Sequence, residues 1–128
     1  MYFLFTNTPL KYLVEPFWRD EAFSYLLAKK SIVELVVLTA KDFNPPLYYL
    51  LLHFWMKIVG GSEISLRLLS FLFYLGTIYV SDHVMQDIYG IPLKKRVHYL
   101  LLIAINPILL YYAFESRMYT MLAFFAIS

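Results

Sequence analysis

Two adjacent carboxylates, Asp20 and Glu21, sit behind a tryptophan and an arginine in FWRDEAFS, residues 17–24. A carboxylate can act as a general base when its oxygen is positioned on a proton and its pKa suits the task. The Arg19 charge next door favours the ionised form, which helps a base or a metal ligand. The plainer reading is capping, with Asp20 as the N-cap of the helix that follows and Glu21 at the positive end of its dipole. These residues alone leave both readings open. Glu115 and Arg117 in ESRMY, residues 115–119, stand two apart and so do not share a helical face. At a junction between a loop and a helix both can still point into one cleft. A guanidinium there is well shaped to grip a phosphate, and Tyr119 adds a hydroxyl. The alternative is a helix cap with an arginine whose stem lies along apolar surface. Asp82, His83 and Asp87 suggest a metal site, but they fall where a predicted helix ends and polar residues are the default. His53 and His98 are solitary, and Tyr48, Tyr49, Phe54 and Trp55 read as packing and anchoring aromatics.

The elements that must position these groups belong to an unusually apolar chain. Of 128 residues, 61% are hydrophobic and only 16% charged, where soluble domains run near half and a quarter. Mean hydropathy is +0.62, and the aromatic share of 20% suits rings at a membrane–water boundary. A net charge of +2, with no clustered basic patch, argues against a nucleic-acid partner. Cysteine is absent, which excludes disulfides and thiolate metal sites.

Residues 1–14 read as the remnant of a first span or its exit, since Asn7, Pro9 and Lys11 interrupt them. Met1 opens into YFLF without the basic stretch of a signal peptide, and Ser128 closes an apolar run too short to span. The expectation is therefore a piece of a larger polytopic protein. Residues 15–63 read as an outer loop containing helices that lie along the interface, one over roughly 21–40 and one over 46–59. The second starts at Pro45 and Pro46, ends at Gly60 and Gly61, and reaches only about 22 Å of a bilayer core of roughly 30 Å. Residues 64–85 span about 33 Å, with Arg67 near enough to one end to snorkel. Residues 97–114 reach about 27 Å and contain Asn106 and Pro107. The turn at 86–96 holds Lys94, Lys95 and Arg96, which reads as cytoplasmic by the positive-inside rule. Residues 115–128 are then an outer turn and the start of the next span. With 46–59 not crossing, the Asp20–Glu21 pair, the NPP turn at 44–46 and ESRMY share the outer face; with 46–59 crossing, the acids sit opposite ESRMY.

The order FWRDEAFS, DFNPPLYYLL (42–51), GSEISLRLLS (61–70) and NPILLYYAFESRMY (106–119) resembles the membrane glycosyltransferases of GT-C type. The nearest likeness is to the protein mannosyltransferase and RgtA/B/C/D-like group, which includes the aminoarabinose transferases of lipid A. The resemblance runs over nearly the whole chain. It implies an all-α, multi-pass protein of the prokaryotic cytoplasmic membrane, with interfacial helices in its first outer loop and its active site on the outer face. It implies transfer of a sugar from a polyprenyl-phosphate donor to a lipid, glycan or protein acceptor, with inversion. By the same resemblance Asp20 is the base and Glu21 its support. Arg117 stabilises the leaving phosphate, with Tyr119 beside it and Glu115 orienting the arginine, and Asp42 and Asn44 line the cleft. A divalent metal ion is an optional cofactor, with Asp20 and Glu21 as its candidate ligands.

This chain departs from the group's pattern in two ways. Asn44 stands before the double proline where some relatives have Lys or His, so the charge those relatives carry there is absent. The group also has many more spans, so the isolated chain is expected to be inactive. One competing class is a non-catalytic membrane protein, such as a transporter piece or an assembly subunit, whose acids are helix caps; another is a polymerase or ligase that uses a lipid-linked glycan and shares the donor chemistry.

Overall fold

The computed structural model describes residue 16, residues 18–42 and residues 44–128. The predicted remnant span at 1–14 lies outside them, as do Phe17 and Phe43 of the quoted motifs. The described residues form helices and connecting turns with no strand, so the chain is all-α.

The predicted helix over 21–40 is two helices, α1 (Arg19–Ala28) and α2 (Ile32–Lys41). Ser31 breaks it by capping α2. Its Oγ accepts from the Glu34 amide and the Glu34 carboxylate accepts from the Ser31 amide, each at 3.3 Å. This reciprocal pair is a capping box, written in the sequence as S-x-x-E. The start of α1 also differs from expectation. Trp18, not Asp20, is the N-cap, and Glu21 at the third helical position reaches back to accept from the Trp18 amide at 3.3 Å. Asp20 therefore takes the second helical position, and its carboxylate is not used as the cap.

Helix α3 (Pro46–Val59) has the predicted bounds. Pro46 opens it where a missing N–H costs nothing, and Gly60 closes it at φ +98°, a region L-residues avoid. Tyr48, Tyr49 and Leu52 are buried against Leu27, Leu35, Leu66, Leu69 and Met121, which ties α3 to its neighbours. Trp55 donates to the Ser65 carbonyl at 2.8 Å, and His53 Nδ1 lies 2.7 Å from the Ala28 carbonyl. Phe54 of the predicted aromatic stripe is exposed instead.

Helix α4 (Glu63–His83) is the axis of the fold and packs most extensively on the last helix. It runs on through one π-helical turn, Val84–Ile88, and this 26-residue stretch is long and apolar enough to cross a bilayer. The predicted helix over 97–114 is instead a bent pair, α5 (Leu93–Ala104) and α6 (Pro107–Ala113), meeting at 64°. Pro107 has no N–H to continue α5, and Asn106 accepts from the amides of Ile108 and Leu109, which starts a new helix there. Counted as one span, the pair would be a second crossing element. Arg96 pairs with Asp82 at 2.8 Å, joining the basic turn to the far end of α4. Helix α7 (Tyr119–Ile127) crosses α4 closely at Gly76, where an added Cβ would stand 2.9 Å from the Phe124 ring.

Apolar side chains also cover much of the surface. Ile32, Val33, Val36 and Val37 are exposed on α2, and Leu101, Leu102, Ile105 and Ile108 around the α5–α6 bend. Bands of this kind mark a surface that meets lipid or another protein.

Candidate functional site

The site is built around Glu21. Its carboxylate is 1% exposed and forms a two-point ion pair with Arg67 from α4, in which Nε donates to Oε1 at 2.8 Å and Nη2 donates to Oε2. The Ser116 amide donates to the same Oε1 at 2.9 Å, and the Trp18 amide to Oε2. One carboxylate thus gathers α1, α4 and the turn between α6 and α7. Arg67 does not snorkel. It is 1% exposed, because a fork of N–H donors fits a carboxylate better than any single aliphatic contact. Sequence reasoning missed this role, although an arginine inside an apolar helix is a signal for an internal partner.

A second layer fixes the turn. Ser70, three residues after Arg67 and so on the same face of α4, donates to the Arg117 carbonyl at 3.1 Å. The Tyr48 hydroxyl lies 3.0 Å from Ser70 Oγ and 3.3 Å from Ser116 Oγ, and all three side chains are buried. Burial pushes the Tyr48 phenol up to about 12, against the hydrogen bonds from Ser116 and Ser70 that lower it. It therefore stays a neutral hydroxyl, able to donate or accept in these contacts. One helical turn further along, Tyr74 donates to the Ala104 carbonyl at 2.8 Å and stacks with Phe71, which itself stacks on Phe114.

On this base stand the groups that face solvent. The Arg117 guanidinium lies 3.6 Å from the Asp20 carboxylate and donates to the Tyr119 hydroxyl at 3.4 Å. Burial pulls the Arg117 pKa down, but the Tyr119 hydroxyl and the Asp20 charge outweigh it and hold the value above that of a free guanidinium. These two contacts place the arginine, in place of the predicted orientation by Glu115. Asp20 is exposed, at 58%, in contrast to its buried neighbour.

Two clefts meet at the Asp20–Arg117 pair. One, of about 410 Å³, is lined by Trp18, Tyr111, Tyr112, Glu115 and Tyr119 beside the pair. The other, of about 510 Å³, is lined by Phe23, Leu26, Asp42 and Asn44 beside the same pair. Asn44 donates to the Asp42 carboxylate at 2.7 Å. The structure therefore brings Asp20, Asp42, Asn44, Glu115, Arg117 and Tyr119 to one end of α4, and sets Glu21 beneath them. Asp82, His83 and Asp87 lie at the other end. An apolar groove of about 410 Å³, walled by Ile103, Ile108, Leu109 and Ala123, opens beside the first cleft and shares Tyr112 and Tyr119 with it.

A divalent metal ion does not suit this donor set. Both Glu21 oxygens are taken by Arg67 and two amides, and Asp20 faces a guanidinium. Among the described residues no three His, Asp or Glu side chains converge as ligands. No protein-family model matches this chain, and no curated protein or solved structure is significantly similar to it.

Proposed function

We propose that the protein is a polytopic membrane glycosyltransferase of GT-C type. In this reading it moves a sugar from a polyprenyl-phosphate donor to a lipid, glycan or protein acceptor on the outer face of a prokaryotic cytoplasmic membrane. The observation that carries the reading is the Asp20–Arg117 pair standing where two clefts meet. A base and an anion-binding cation are side by side there, each reachable from two spaces, as a transfer between two substrates requires. The apolar groove that shares Tyr112 and Tyr119 with the first cleft suits the hydrocarbon of a lipid-linked donor.

Asp20 takes the proton of the acceptor hydroxyl as its oxygen attacks the anomeric carbon from the face opposite the phosphate, which inverts the configuration. Arg117 and the Tyr119 hydroxyl stabilise the charge that grows on the departing phosphate oxygen, a contribution largest where water is excluded. Glu21 touches neither substrate. It is a positioning residue that keeps α1 and the 114–118 turn in register. No step is routed through a metal ion.

The Asp20→Asn variant tests the base. It should cut sugar transfer in the membrane-embedded protein by about 10²–10⁴-fold. It should leave stability nearly unchanged, because an exposed ion pair contributes about 0–1 kcal/mol. Full transfer by Asp20→Asn removes Asp20 from the mechanism. Cysteine labelling tests the face, using a chain that has no cysteines of its own. Single cysteines beside Asp20 and Arg117 should react with an impermeant reagent in intact cells while one in the Lys94–Arg96 turn should not. Labelling of Asp20 and Arg117 from opposite sides would return the chain to the non-catalytic class.

A further inference from the structure

We infer that Glu115 is the proton-holding acid of the cleft, giving its proton to the departing phosphate oxygen while Asp20 takes one from the acceptor. The identity of the reaction rests on the transferase reading above; the identity of the residue rests on charge and position. At this end of α4 two part-buried or buried guanidiniums meet the carboxylates of Asp20, Glu21 and Glu115, while Asp42, in the second cleft, accepts from Asn44. Arg67 is matched to Glu21 and Arg117 to Asp20. Glu115 is the third acid, and among the described residues no cation lies within ion-pairing distance of it. It also has a place no other acid shares. It lines the open cleft with Asp20 and Arg117, and it lines a narrow recess that leads down to the Glu21–Arg67 pair.

The groups facing Glu115 come from every side of it. From α1 come Arg19, Asp20 and Glu21, and from α4 comes Arg67. Tyr111 and Tyr112 of α6 stand opposite, with Arg117 and Tyr119 on its own turn and the start of α7. Half-burial and the negative charge of Glu21 raise the Glu115 pKa. Arg117 opposes this, Asp20 adds to it, and Arg67 opposes it less, so the balance stays above the ordinary carboxylate value. Two carboxylates in one cleft with different surroundings divide into a base and an acid, the arrangement by which paired acids serve opposite ends of one reaction.

The proton balance closes. The acceptor O–H proton goes to Asp20 as the new C–O bond forms. The bond from the anomeric carbon to phosphate breaks with its electron pair on oxygen, and that oxygen takes the Glu115 proton. The lipid phosphate leaves protonated. One proton passed from Asp20 to Glu115 through cleft water restores the starting state.

The test has two readouts on the full chain in lipid nanodiscs. The first is a pH titration of Trp18 emission in a Trp55→Phe background, since Trp18 lines the cleft and these are the chain's two tryptophans. A transition above the ordinary carboxylate range should be present, be lost in Glu115→Gln, and move down in Asp20→Asn. Its absence, or its survival in Glu115→Gln, overturns the inference. The second, made on the complete polytopic protein because the isolated chain is expected to be inactive, is the pH profile of transfer from short-chain polyprenyl-phosphate hexoses and pentoses. The rate should fall on the alkaline side of the same transition, and Glu115→Gln should lower the plateau by about 10²-fold or more and abolish that limb. Transfer with an unchanged profile in Glu115→Gln overturns the acid role and spares the transferase reading. A complete wild-type polytopic protein that shows the transition but transfers none of these sugars overturns both together.

Discussion

Replacing Arg67 by methionine should destabilise this protein more than any other single change at the site. The side chains of Arg67 and Glu21 are each 1% exposed. Arg67→Met removes two charge-assisted bonds and leaves the carboxylate with the amides of Ser116 and Trp18, at 2.9 and 3.3 Å, as hydrogen-bond donors. Breaking a buried pair from one side costs about 3–5 kcal/mol, because an uncompensated charge stays behind. At a few degrees per kcal/mol for a chain of this size, that is a fall in Tm of roughly 10–20 °C. Removing both charges with Glu21→Gln and Arg67→Met should restore most of the loss, since a buried pair and a neutral pair of similar volume are often close in stability. The measurement is a double-mutant cycle by thermal unfolding in nanodiscs, followed by near-ultraviolet circular dichroism. Two results would refute the reasoning: an Arg67→Met variant within about 1 kcal/mol of wild type, or two single-variant losses that simply add.

Three further outcomes follow from neighbouring contacts. Tyr48→Phe removes a buried hydroxyl from the Ser70–Ser116 cluster and should cost about 0.5–1.5 kcal/mol in the same assay. It should also abolish an alkaline loss of stability, because a folded-state phenol raised to about 12 contributes stability below its ordinary value of 10.0 and loses it as pH rises through 12. Glu115→Gln should flatten stability against pH. A carboxyl raised above 4.5 in the folded state contributes fully below that pH and loses the contribution as pH rises through the raised value, so wild type alone should weaken across that window. Gly76→Val should overpack the contact with Phe124 at a cost of about 1–3 kcal/mol, read as faster amide exchange confined to α7.

What the sequence made legible was the set of polar groups and the short helices. Pro46 and Gly60 fixed α3 to the residue, because each acts through its own backbone geometry. Asp20, Glu115, Arg117 and Tyr119 were singled out from their types and spacing, and they line one cleft. The tertiary partners were not legible. An arginine inside the apolar run LRLLS signals an internal partner but does not name it; the partner is a carboxylate 46 residues away. The Ser31 break is written in the sequence as S-x-x-E, within an apolar run that otherwise reads as one helix. Residues 97–114 read as one element, and the Asn106 cap starts a new helix at Pro107.

The Glu21 carboxylate also constrains the order in which the chain can assemble. Its ion-pair partner lies 46 residues later and its Ser116 amide 95 residues later. During synthesis from the N-terminus, the acid emerges well before either, so it must remain hydrated while α2 and α3 are made. Arrival of α4 first makes its burial affordable, and only the turn after α6 completes its shell. The two clefts therefore come into being last, and a chain interrupted anywhere before Ser116 would hold its acids without the cation that faces them across the cleft.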